Sequence, residues 1–246
     1  MEILLPAVAI VLGGLVKGLT GFGYALISTS LLATIMPAQQ AVAVMIIPLI
    51  AGNLELVLEI DIEELLNCIR NLSCYLLSLT AGVTAGMFLI SFIPSRPLQM
   101  AVGAIAAVYS ISRLEPVEDK FERLRKICFK SWEPVIGTSS GIIYGASNIG
   151  VPIVAYLRSQ NLSHEKFTGT LAAIILLLSV YRIFLAELTG IYSGNEKILL
   201  SLILAIPAAA SAKTGQILAN NISTEKLEKL SLILIFVIGL KLLLPF

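Results

Sequence analysis

Two long apolar segments of this chain are broken by glycine, and they constrain its fold more than any other feature. Residues 3–36 contain "GLVKGLTGFGYAL" at 14–26, with Lys17 beside Gly18, Gly21 and Gly23. Residues 133–158 contain "GTSSGIIYGASNIGVP", with Gly137, Gly141, Gly145, Gly150 and Pro152. Glycine and proline weaken a helix interior by about 1 and 3 kcal/mol. In hydrocarbon the backbone groups they free must find protein or water partners.

The setting is a membrane. Of 246 residues, 57% are hydrophobic and 13% charged, against about 25% charged in soluble domains. Such a chain cannot cover a soluble surface and reads as a multi-pass, all-α integral membrane protein. Its N-terminus, "MEILLPAVAI", holds an acid and no basic region, and does not read as a cleaved signal peptide.

Six segments are long enough to cross about 30 Å of hydrocarbon: 38–58, 70–92, 97–113, 165–189, 196–219 and 226–245. Each glycine-rich segment is either a kinked span or a re-entrant hairpin. Lys17 and Arg182 are intramembrane, which leaves fifteen lysines and arginines to set the orientation. With two spans they divide nine inside to six outside. With two hairpins twelve fall inside, and Arg96, Lys197 and Lys241 fall outside. The positive-inside rule favours the hairpins, with both chain ends outside.

Each half then holds one hairpin and three spans, so the halves are inverted repeats: 1–113, with hairpin 3–36, and 133–246, with hairpin 133–158. The hydrophilic stretch 114–132 is the cytoplasmic linker. "GVTAGMFLISFIPSRPL" and "SAKTGQILANNISTEKL" match in layout, with Gly82 opposite Ser211, Gly86 opposite Gly215, Ile93 opposite Ile222 and Leu98 opposite Leu227. The glycine patterns place Gly14 opposite Gly137 and Gly18 opposite Gly141. Pro48 and Pro207 predict mid-span kinks. Gly82 and Gly86 form a small-residue packing face.

Inverted repeats with helices broken near the midplane suit transport. The second arm of each hairpin begins with unpaired N–H groups at the positive end of a helix dipole, a place that attracts anions. Lys17, costly in a bilayer unless it faces a cavity or a partner, would strengthen such a site; otherwise it snorkels or pairs with an acid of the other half. The second tip offers Ser147, Asn148 and the N–H groups of Ile149, Gly150 and Val151. The first offers Thr20, Gly21, Phe22, Gly23 and Tyr24. Arg182 either binds substrate or snorkels outward. Asn53 and Glu55 read as interface residues near the cytoplasmic end.

Other chemistry finds little support. Cys68, Cys74 and Cys128 form no CxxC pair, and His164 is the single histidine. No metal, cofactor, nucleotide loop, nucleic-acid pattern or catalytic carboxylate pair is expected.

"GLVKGLTGFGYALISTSLLATIMPAQQAVAV" and "GTSSGIIYGASNIGVPIVAYLRSQNLSHEKFTGT", with "AGVTAGMFL" and "RIFLAELTGIY", resemble the sulfite exporter TauE/SafE family over nearly the whole chain. Two departures stand near the tips. Ser28, Thr29 and Ser30 occur where the family often has a proline, and Gly150-Val151-Pro152 replaces a Gly-Pro pair. The resemblance implies a multi-spanning cell-membrane transporter of anions, often sulfur oxyanions or organosulfonates. The leading expectation is therefore an alternating-access anion transporter, not an enzyme, whose partners are a small anion, the bilayer and a second copy of the chain. A passive anion channel is the runner-up, followed by a membrane-embedded enzyme or assembly factor.

Overall fold

The computed structural model describes residues 3–58, 61–112, 132–160, 162–192, 195–219 and 224–244. The linker 114–131, Cys128 and the matched Ile222 lie outside the described residues. Those described form twelve helices and no strand. They are α1 (Leu4–Thr20), α2 (Tyr24–Leu32), α3 (Ala38–Val44), α4 (Ile46–Leu58), α5 (Ile62–Asn71), α6 (Ser73–Leu89), α7 (Ser95–Ser112), α8 (Glu133–Ser147), α9 (Val151–Ser159), α10 (His164–Leu188), α11 (Asn195–Ala219) and α12 (Thr224–Leu243).

Both glycine-rich segments break where expected and double back. α1 ends on Gly21 at φ 76°, a left-handed position that glycine takes without a Cβ penalty. α2 then returns along α1: the Ser28 hydroxyl donates to Ala9 O at 3.0 Å, and Ser28 fills the space beside Gly13. α8 ends on Asn148 at φ 63°, asparagine being among the few side chains that tolerate this region. Pro152 sits in the first turn of α9, where its missing N–H costs nothing. α9 returns until the Tyr156 hydroxyl donates to Glu133 Oε1 at the start of α8.

The first arms pack on helices from the opposite half. α1 lies on α11 and α8 lies on α6. Glycine makes both contacts possible. A Cβ on Gly18 would stand 2.6 Å from Gly215 Cα, and one on Gly141 would stand 2.8 Å from Gly82 Cα. Gly14 faces Ser211, Gly145 faces Gly86, and Gly137 faces Ser78 and Tyr75. Two helix axes thus approach closely along a small-residue stripe.

Among the described residues three helices are long and apolar enough to cross a membrane: Ala38–Leu58, Lys166–Leu188 and Glu196–Ala219. A fourth, Leu65–Asn71 with Ser73–Leu89, qualifies as a pair bent by 79°. That is fewer than the six expected. α7 and α12 occupy the expected places, but the apolar part of α12, Leu232–Leu243, is short.

α11 runs through Pro207. The helix over 38–58 breaks at Met45, between α3 and α4, because Pro48 has no N–H for Val44 O. Three carbonyls at the break take side-chain donors from the second half instead. Asn148 Nδ2 donates to Val42 O at 3.0 Å, Tyr192 Oη to Ala43 O at 3.0 Å and Ser201 Oγ to Val44 O at 2.7 Å.

Candidate functional site

The second hairpin tip reaches the returning arm of the first hairpin. Asn148 Nδ2 reaches Thr29 Oγ1 on α2 at 3.2 Å. A cavity of about 20 Å³ is lined by Lys17 and Gly21 to Tyr24 of the first hairpin, Gly150 of the second, Leu49 and Asn53 of α4 and residues of α10. Its volume suits about one water molecule. No carboxylate is among its lining residues.

Lys17 is only 4% exposed. It does not snorkel, and among the described residues it makes no ion pair with an acid of the other half. Its ammonium donates to Asn53 Oδ1 at 2.7 Å and to Gly52 O. An ammonium carries three donors, and two of them are held by neutral acceptors. Asn53 is not an interface residue. It is buried, with Nδ2 donating to Leu49 O at 2.6 Å. Its place in an apolar helix gave little sign of this, because a helix-end asparagine and a buried lysine partner look alike until α1 is placed against α4. Tyr24 also lines the cavity, and Lys17 Nζ is 6.0 Å from its ring centroid. The Tyr24 hydroxyl is buried and finds no hydrogen-bond partner among the described residues.

Arg182 is 0% exposed, and it does not snorkel. Its guanidinium turns inward to the end of α8, donating to Asn148 Oδ1, to Gly145 O at 3.2 Å and to Met87 Sδ at 3.3 Å. It also lies 5.3 Å from the Tyr144 ring centroid. Gly145 O is one of the last carbonyls of α8, which lack helical partners and carry the negative end of the dipole. Arg182 caps that end, and it does not line the Lys17 cavity.

The second tip is more self-contained than its residue types suggested. Ser147 Oγ donates to Ile143 O at 2.6 Å and accepts from the Ile149 N–H at 3.2 Å. Both Asn148 amide atoms are engaged. Gly150 alone of this tip lines the cavity; Val151 opens α9 just beyond it. At the first tip the Thr20 hydroxyl hydrogen is shared between Val16 O and Phe22 O, each at 2.8 Å. The Phe22 ring meets Tyr109 edge-on at 5.6 Å. A Cβ on Gly23 would have room, with nothing nearer than 3.7 Å, but φ is 99° there.

Among the described residues no group of histidine, cysteine and acidic side chains could hold a metal. The family model described as "Sulfite exporter TauE/SafE" matches residues 6–242. No curated protein and no solved structure matches.

Proposed function

The chain belongs to the sulfite exporter TauE/SafE family, a family of membrane transporters of sulfur anions, and from that premise we propose that it carries a small sulfur oxyanion or organosulfonate by alternating access. The anion binds between the hairpin tips, in the cavity of Lys17. The observation that carries this reading is the buried Lys17 ammonium, held by Asn53 and Gly52 O with no carboxylate lining the cavity beside it. A buried cation whose hydrogen-bond partners are all neutral is costly, and a transported anion adds the missing direct partner. The orphaned Tyr24 hydroxyl offers a further donor. The N–H groups opening α2 add the positive end of a helix dipole. A cavity the size of one water is too small for an oxyanion, so the hairpins must part to admit it.

The inverted repeat belongs to the same proposal. Taking the halves as equivalent pairs Gly14 with Gly141, Gly18 with Gly145, Gly21 with Asn148 and Tyr24 with Val151, while Gly82 stays with Ser211 and Gly86 with Gly215. The close approaches and the left-handed caps support this register. It lies one helical turn beyond the pairing of Gly14 with Gly137. The hairpin spacing then sets Lys17 opposite Tyr144, and the spacing that joins Gly82 to Ser211 sets Asn53 opposite Arg182. Each half has one buried cation bridging hairpin and span, on the hairpin in the first half and on the span in the second.

The test is flux of radiolabelled sulfite into liposomes holding the purified protein. Saturation and acceleration by sulfite on the opposite side are expected. Flux that rises linearly with concentration would instead identify a channel.

A further inference from the structure

α5 turns away from the span that follows it. Its axis from Leu65 to Asn71 meets that of α6 at 79°, so where α6 crosses the bilayer α5 runs nearly in its plane. α6 alone has 17 residues, about 25 Å of helix, and it crosses most of the hydrocarbon without α5. The sequence of α5 separates by face. At about 3.6 residues per turn, Ile62, Leu65, Leu66, Cys68 and Ile69 share one side, and Glu63, Asn67, Arg70 and Asn71 share the other. Its ends are those of a self-standing helix. The Asp61 carboxylate caps it by accepting from the Glu63 N–H at 2.9 Å, and Arg70 lies in the last turn, each charge at its favourable end of the dipole.

The apolar side is only partly used by the protein. α5 touches α10 and α6, and Leu65, Cys68 and Ile69 are half-buried. Ile62 and Leu66, one turn apart, are 72% and 51% exposed. Leu58 at the end of α4 and Leu77 in the second turn of α6 are also exposed, so the apolar exterior of the flanking helices leads into α5 from both sides.

We propose that α5 is an interfacial helix that rests on phospholipid, with Ile62 and Leu66 among the acyl chains and Glu63, Asn67 and Arg70 in the water. Only the boundary between headgroups and acyl chains satisfies both faces. Deeper placement would carry exposed Glu63 and Arg70 into hydrocarbon, which is costly. Two exposed side chains are too small a patch for a second protein, since a stable interface needs roughly 800 Å² per partner. Attachment is apolar: the polar side pairs an acid with a base and has no basic cluster to select anionic lipid. In the hairpin topology this is the cytoplasmic leaflet. α5 joins α4 to α6, so its resting depth sets theirs, and α4 carries Gly52 and Asn53, the acceptors of Lys17. The inference holds whichever ion the protein carries.

The experiment reads depth. Cys68, Cys74 and Cys128 are replaced by serine, and bimane is attached to single cysteines made by Ile62→Cys, Leu66→Cys, Glu63→Cys or Asn67→Cys. Each protein, of wild-type gel-filtration profile, is placed in phosphatidylcholine liposomes with or without bromine on the acyl chains. Quenching by bromine at 62 and 66 should exceed that at 63 and 67 by about threefold or more, because an interfacial helix buries its apolar face about 5–10 Å below the headgroups. Equal quenching at all four positions, or none at 62 and 66, overturns the proposal. Blue-shifted emission at 62 and 66 without quenching would give the face to a second copy and equally overturn it. Exchanging part of the phosphatidylcholine for phosphatidylglycerol should leave the contrast unchanged; a contrast that appears only with the anionic lipid overturns apolar attachment. Leu66→Asp should reduce quenching of the reporter at 62 to the level seen at 67, and unchanged quenching there removes Leu66 as an anchor.

Discussion

Lys17 Nζ lies 2.7 Å from Asn53 Oδ1, which ties the first hairpin to the span over 38–58 through a neutral acceptor. Neutrality is the point. An aspartate at 53 would hold the lysine equally well and cancel its charge. Asn53→Asp should therefore leave the fold intact and weaken sulfite binding at least tenfold, by titration calorimetry on protein of wild-type gel-filtration profile. Binding as tight as wild type would mean that the Lys17 charge does not meet the anion.

Lys17→Met keeps length and apolar bulk and removes the donor. A hydrogen bond to a charged group contributes about 1.5–3 kcal/mol, so sulfite affinity should fall about ten- to a hundredfold. A folded Lys17→Met protein that binds normally would make the lysine structural and leave any site to backbone dipoles alone.

Tyr24→Phe removes a buried hydroxyl that has no partner among the described residues. Stability should hold or rise, because an unsatisfied buried donor is unfavourable. Sulfite affinity should fall a few-fold, by about 0.5–1.5 kcal/mol. A drop in melting temperature with unchanged affinity would show that the hydroxyl serves the fold.

Arg182→Lys separates capping from binding. Lysine keeps the charge but loses the fork that spans Asn148 Oδ1 and Gly145 O. The variant should unfold at lower temperature, having lost about 1.5–3 kcal/mol with a hydrogen bond of the charged group. Sulfite affinity of the folded fraction should stay within about threefold. A larger affinity loss at wild-type stability would return Arg182 to the binding site.

Glycine variants should fail in two ways. Gly18→Ala forces a Cβ to 2.6 Å from Gly215 Cα, and such overpacking costs about 1–3 kcal/mol, so the α1–α11 contact should open and aggregation appear on gel filtration. Gly23→Ala has room but must hold φ 99°, a left-handed strain of roughly 1–2 kcal/mol. It should fold and transport more slowly.

The apolar runs and their glycines were enough to place the two breaks, because Gly21 and the Asn148 turn are local conformational facts. Charge placement argued for hairpins, and Gly82 and Gly86 marked the face of α6 that packs on α8; that the hairpin glycines serve the same packing was not read from the sequence. Partner choice was not local. Nothing near Lys17 says that its acceptors lie on α4, or that Arg182 turns inward to cap α8, because burial of a cation depends on which helix stands beside it. The Met45 break shows the same division. Pro48 by itself frees one carbonyl, and only the tertiary arrangement brings Ser201, Tyr192 and Asn148 from the other half to satisfy that carbonyl and its neighbours. The sequence by itself determined an apolar, twice-broken helical chain, because helix breaking and burial in hydrocarbon follow from residue type. Only the tertiary structure decided which polar groups are spent on the protein and which still face the Lys17 cavity, because a hydrogen bond needs both partners within about 3 Å.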